Sequence, residues 1–304
     1  MDIKNKFDLG FSKHTYQRID SEFKVNIYLG YNEKGQMSMV IAEPGQKSNV
    51  KPSKFINVMI GQREDGRLSL EFALLDDAFK SLFIIFCKDI ISICEQAGSS
   101  MAISNAITRW KYWKEMFGKK SDHLLSESEI QGLIGELLVL QKYFLETYDE
   151  NKAYNSWLGP LGNKKDFEVD NTWYEVKTIL EGVLKIEISS LEQLDSDRDG
   201  NLPVVRLAKT STTTSNSISL NKLVYGLLMN IEDPEIRELF LARLEKKGYS
   251  IEPEYDNYCY LLKDITYYTV NADFPKLTRS QIPKAIGTAT YSIILNGIKD
   301  FKRK

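Results

Sequence analysis

The sequence of 304 residues has only two histidines, His14 and His123. A multi-histidine metal centre cannot be built from them, and a Ser-His-Asp arrangement would rest on one isolated imidazole. Cysteine is almost as scarce. Cys87, Cys94 and Cys259 are odd in number, scattered, and never paired as C-x-x-C. Neither a zinc site nor a disulfide framework follows; the three thiols are expected in the core, and a reducing cytoplasm fits. An excess of one charge is also missing, the formal net charge being −2. This excludes a histone-like binder but not an enzyme whose basic groups line one groove. The longest apolar runs, LFIIFC and IISIC, are broken by Lys88-Asp89 and fall far short of a membrane span. The opening MDIKNKFDLG has no secretory leader, so the expected setting is cytoplasmic, without membrane contact. Phe117-Gly118-Lys119-Lys120-Ser121 lacks the upstream glycine of a phosphate-binding loop, and no G-x-G-x-x-G follows a strand. Nucleotide-driven and dinucleotide chemistry are therefore unsupported.

What is present is concentrated in residues 164–190, KKDFEVDNTWYEVKTILEGVLKIEISS. The stretch alternates like successive strands. Phe167 and Val169 point one way; Asp166, Glu168 and Asp170 point the other. Asp170-Asn171 is a turn signal, and Glu181-Gly182 turns the chain again. Between the turns, Trp173, Glu175, Lys177 and Ile179 share one face. An aspartate at the start of one strand thus faces a glutamate and a lysine, two residues apart, on its neighbour. Two carboxylates on rigid strands can hold a divalent cation that wants hard oxygen ligands. A lysine beside them can orient or deprotonate a water, or offset charge developing on a phosphate. The Glu-x-Lys spacing alone carries nothing, since it recurs at Glu22/Lys24, Glu150/Lys152 and Glu245/Lys247. The second of these falls in a polar loop, and in the third Lys247 complements a helix dipole. Only Glu175/Lys177 has apolar strand neighbours and an aspartate upstream.

The segments Gly132-Leu133-Ile134-Gly135-Glu136-Leu137-Leu138, Asp166-Phe167, Glu175-Val176-Lys177, Ser189-Ser190-Leu191-Glu192-Gln193-Leu194 and Asp273-Phe274-Pro275 resemble the PD-(D/E)XK nuclease superfamily. More narrowly, they resemble bacterial "PD-(D/E)XK motif proteins" linked to restriction and defence against foreign DNA. The resemblance runs from about residue 110 to 291 and is most specific over 130–195. It implies an α/β (α+β) fold with a mixed central sheet flanked by helices, and hydrolysis of DNA phosphodiesters as an endonuclease or nickase. It also implies Mg²⁺ as cofactor, with Mn²⁺ able to substitute. By position, Asp166 and Glu175 are the metal-binding carboxylates, Lys177 the catalytic lysine and Glu136 the helix acid that joins the metal site. One departure is visible, as Lys165 stands where the family often has proline. DNA is the implied partner; a homodimer and partner proteins of a defence operon are compatible with it. The alternative is a nucleic-acid-binding or assembly module that keeps the fold without cutting.

Two domains are expected, 1–120 and 121–304. The first is β-rich, with strands over 23–31, 37–42, 55–60 and 68–74, a hairpin at Glu64-Asp65-Gly66, and helices over 76–97 and 101–117. Trp110, Trp113 and Phe117 alternate with basic residues and are read as core plus a solvated face. In the second, Ser126 and Glu129 form a capping box ahead of a helix over 127–147. After the three strands come a turn or short helix at 190–195, a strand at 202–208 and a helix over 218–230. A helix from Asp233-Pro234 to Lys247, stopped by Gly248, follows. Strands are expected at 258–262, 265–270 and 289–295, then a solvated basic tail. Lys164, Lys165, Lys185 and Arg198 are the expected phosphate contacts.

Overall fold

A computed structural model describes residues 7, 15–20, 22–118 and 124–303. His14 and His123 lie outside the described residues. The chain divides into two compact units, 1–122 and 123–304.

In the first unit, strands β1 (Tyr16–Arg18), β2 (Ile27–Tyr31), β3 (Met37–Glu43), β4 (Ile56–Gln62) and β5 (Leu68–Leu74) form an antiparallel sheet in the order β1-β2-β3-β5-β4. Helices α1 (Lys80–Ala97) and α2 (Ala102–Gly118) follow. Apolar residues at helical spacing meet those at strand spacing: Phe86 and Trp110 both pack on Phe72. Trp110 and Trp113 are fully enclosed, as their spacing predicts, and Trp113 donates from Nε1 to Asp89. Asp89 also pairs with Arg109 at 2.7 Å. The other sheet face carries an open concavity of about 760 Å³ lined by Tyr16, Tyr28, Asn57, Met59, Arg63 and Glu71, among others.

In the second unit, α3 (Glu127–Val139) starts from the expected capping box, Ser126 with Glu129. The helix runs on to residue 147 through a π turn at Leu140–Phe144. The polar segment expected as a loop is instead a short helix, α4 (Glu150–Ser156), capped by Asp149 and anchored by buried Ala153 and Tyr154. Then come β6 (Phe167–Val169), β7 (Thr172–Tyr174), β8 (Lys177–Leu180), β9 (Lys185–Ile188) and β10 (Gly200–Thr210). Helices α5 (Leu220–Asn230) and α6 (Pro234–Lys246), then β11 (Cys259–Val270) and β12 (Tyr291–Ile294), complete the unit.

The sheet is mixed. β10 runs antiparallel to β11 and parallel to β7 and β8, and β6 pairs antiparallel with β7. Asp170 and Asn171 both have positive φ, which gives the two-residue turn between β6 and β7 the twist a tight hairpin needs. The two strands expected at 258–262 and 265–270 are one. A register shift between Arg206 and Leu207 passes over Lys263, so a bulge absorbs the polar interruption. The strand expected over 173–179 is interrupted at Glu175-Val176. The expected solvated tail is docked: Lys302 bridges to Tyr268, and the Arg303 backbone N–H donates to the Tyr267 carbonyl.

One sheet face and the β9/β12 pair enclose Trp173, Ile179, Ile186, Leu202, Val204 and Ile293. Helix α3 covers the other face, and Gly135 is the point of closest approach. A Cβ there would stand 1.8 Å from Thr178 Oγ1 and 3.1 Å from Thr178 Cβ. This contact sets the height of α3, and of Glu136 beside it, over β8. Gly135→Ala should therefore cost about 1–3 kcal/mol of stability by overpacking. Thr178→Ala in the same chain should recover part of that loss. Urea denaturation of the single and double variants checks it, and a stable Gly135→Ala chain would refute the contact.

Candidate active site

The site is built where β6, β7 and β8 meet α3 and α6. Asp166 stands one residue before β6, and its backbone N–H donates to the Tyr174 carbonyl at 3.1 Å. That register puts it opposite Glu175. Its Oδ2 accepts the Val176 N–H at 2.8 Å, so the carboxylate takes the place a backbone carbonyl would hold in the ladder. Its own carbonyl accepts from Leu158 and Gly159, which pins the loop after α4 beneath it. Glu175 is buried and accepts from Lys177 Nζ at 2.9 Å. The Lys177 ammonium also donates to Gln193 Oε1 at 2.8 Å, and that oxygen takes the Ser189 N–H as well.

Glu136 arrives from α3 and is buried. Its Oε2 accepts from Trp157 Nε1 at 2.7 Å and its Oε1 from Lys247 Nζ at 2.7 Å. Gly159 makes room for this meeting. Asp166 Oδ1, Lys247 Nζ and Glu136 Oε2 lie 2.9, 3.2 and 3.3 Å from where its Cβ would stand. The expected residues Asp166, Glu175, Lys177 and Glu136 are thus brought together.

Burial dominates their electrostatics, because a carboxylate stripped of water prefers its proton. Burial pushes the Glu175 carboxyl up to about 8, with repulsion from Asp166 adding and Lys177 opposing. Glu136 is raised by burial and by Asp166, against Lys247 and Trp157. Asp166 keeps part of its surface open, yet protein crowds its carboxylate, and burial raises it too, against Lys247 and the Val176 N–H. Burial pushes the Lys247 ammonium down, and Glu136, Asp166 and Glu175 bring it back above the ordinary lysine value.

Of the four expected phosphate contacts, one is corrected. Lys165 is buried, with Nζ 3.8 Å from the centre of the Trp173 ring and donating to the carbonyls of Glu192, Gln193 and Asp195. Burial brings it down to about 8. It clamps the turn that carries Gln193 and presents no charge to solvent. Lys164 is exposed two residues from Asp166. Lys185 is exposed at the opposite end of β9 from Ser189, and Arg198 bonds Asn171 and Glu168 at the far end of the hairpin. Neither adjoins the carboxylates. Lys247, Gln193, Trp157 and Gly159 were not singled out by sequence. Gln193 alone had a signal, its place in the Ser189–Leu194 segment that carries the family resemblance.

A protein-family model described as "Putative PD-(D/E)XK family member, (DUF4420)" matches residues 7–296. The chain belongs to this family. Its mixed α/β architecture agrees with that membership. No curated protein and no solved structure matches the chain. No helix among the described residues is long and apolar enough to cross a membrane.

Nucleases of the PD-(D/E)XK type generally use divalent metals, and the donor set fits one. Its donors are all carboxylate oxygens, buried at mutually repelling positions that a hard cation would relieve. Among the described residues no group of three or more His, Cys, Asp or Glu is arranged to hold an ion. The fit is that of two carboxylates with waters completing the shell, as Mg²⁺ accepts.

The raised carboxyls give a signed stability prediction. Glu175 binds its proton more tightly folded than unfolded. Its stabilising contribution is full below about 4.5 and is lost as pH rises through about 8. Lys165 changes only above about 8, outside that window. In EDTA the melting temperature should fall between pH about 5 and 8, and Glu175→Gln should flatten the fall. A wild-type curve that rises over this range would contradict the burial described.

Proposed function

We propose that this chain hydrolyses DNA phosphodiesters with a divalent metal ion, Mg²⁺ or Mn²⁺, as an endonuclease or nickase. The observation that carries the reading is the convergence of Asp166, Glu175 and Lys177 at one enclosed point of the sheet, in a chain of this family. Asp166 and Glu175 would hold the ion, with Glu136 at its flank. The bound ion supplies a Lewis acid for a phosphate oxygen and a more acidic water. Lys177 sits beside Glu175 with its ammonium fixed by Gln193, placed to hold the attacking water or to offset charge on the phosphate. Lys165 acts one step back, holding the turn that carries Gln193. Glu136, Trp157 and the loop at Gly159 close the α3 side against water.

Cleavage of supercoiled plasmid should require Mg²⁺ or Mn²⁺ and stop in EDTA. Asp166→Asn and Glu175→Gln should lower the rate by about 10³-fold, equivalent to about 4 kcal/mol of transition-state stabilisation, with circular dichroism unchanged. Lys177→Ala should cost about 10²–10⁴-fold. Full activity in both carboxylate variants would sink the assignment. DNA binding without cleavage under every metal condition would favour the non-cutting module.

Binding should weaken with salt, and the two neighbouring lysines should differ. Lys164→Ala removes an exposed charge and should lower the log–log salt slope by about 0.9. Lys165→Ala should leave the slope unchanged and instead slow cleavage by loosening Gln193. Fluorescence anisotropy between about 50 and 200 mM salt reads the slope, and equal slopes for the two variants would reverse the placement of these side chains.

A further inference from the structure

Lys247 caps the C-terminal end of α6, where Gly248 at φ +79° turns the chain away. Helix ends often carry lysines that reach into solvent. This one turns inward. Its Nζ is 2.7 Å from Glu136 Oε1, against the point where Gly159 lacks a side chain and Asp166 Oδ1 and Glu136 Oε2 approach. The ammonium is therefore paired with the helix carboxylate and acts on the strand carboxylate of Asp166 through its charge. In nucleases that use two metal ions the cations lie about 3.5–4 Å apart and clamp the attacking and leaving oxygens. Asp166 Oδ2 accepts the Val176 N–H on the β8 side, and Oδ1 lies 2.9 Å from where a Gly159 Cβ would stand, the same point that Lys247 Nζ and Glu136 Oε2 approach.

Charge balance points the same way. Three carboxylates stand against the ammonium groups of Lys177, Lys247 and the buried Lys165, so the charges already balance. One divalent ion leaves two positive charges, which a bound phosphate offsets in part. A second divalent ion beside Lys247 would leave a strongly positive, poorly solvated pocket.

We propose that Lys247 is a built-in second cation, a positioning residue whose ammonium occupies the Glu136 side of the site, within the field of Asp166, and limits the site to one divalent metal ion. The proposal rests on the metal-dependent reading above. Lys177 works on the Glu175 side, next to the metal; Lys247 works on the Glu136 side, instead of a metal.

The test is metal stoichiometry in the full chain, with Mn²⁺ as probe. Isothermal titration and electron paramagnetic resonance should find one Mn²⁺ in wild type and in Lys247→Arg. Lys247→Gln should bind two, with Mn–Mn coupling in its spectrum, and its Mg²⁺ dependence of plasmid cleavage should change from first to second order. Lys247→Gln with Glu136→Gln should return to one. A purely structural role would lower stability or metal affinity without adding a site. Two ions in wild type, or a single ion in a folded Lys247→Gln chain, would overturn the proposal and leave the metal-dependent reading standing. No ion in wild type and no cleavage would overturn both. Where Lys247→Gln fails to fold, Lys247→Met carries the same test: two ions in it support the proposal and one overturns it.

Discussion

The burial of carboxylates that also repel one another is the constraint on which the second unit depends. Glu136 and Glu175 are almost wholly enclosed and Asp166 is crowded between them. A protein that buries like charges must supply compensating partners or lose stability. Here the partners come from distant parts of the chain. Lys247 lies 111 residues from Glu136, the Trp157 indole closes the other oxygen, and a backbone N–H takes Asp166. The loop after α4, the end of α6 and the turn at 191–193 are all placed by this demand, as much as by apolar packing.

Much of that was legible in sequence where the determinants are local. The hairpin at Asp170-Asn171, the capping box at Ser126 and the joint facing of Asp166, Glu175 and Lys177 each depend on a few adjacent residues. Lys247 was not legible, because a lysine before a helix-ending glycine has a sufficient local explanation in the dipole. Its inward turn is decided by Glu136, far away in sequence. Lys165 misled for the same reason: a Lys-Lys pair beside an acidic strand reads as a basic surface, and only the Trp173 ring and three carbonyls make its burial tolerable. Helix α4 was hidden by its polar letters, and β11 reads as two strands in sequence because a bulge lets a strand carry Lys263 without breaking.

The first unit has its own logic, with aromatic side chains between sheet and helices and a buried Arg109–Asp89 pair that Trp113 completes. The carboxyl site is assembled wholly within the second unit, from α3, α6 and the strands around β7 and β8.

The interruption at Glu175-Val176 has its cause across the sheet. Glu175 N–H donates to the Asn201 carbonyl, and the alternation of a parallel ladder would next have residue 203 donate back to the Glu175 carbonyl. Residue 203 is Pro203, which has no proton to give. A proline inside a central strand is ordinarily a fault. Here it withholds from the Glu175 carbonyl the N–H that an unbroken ladder would supply. The break between β7 and β8, where Glu175 stands just ahead of Lys177, is thus set by an imino acid on the neighbouring strand and by no residue of the acidic segment itself.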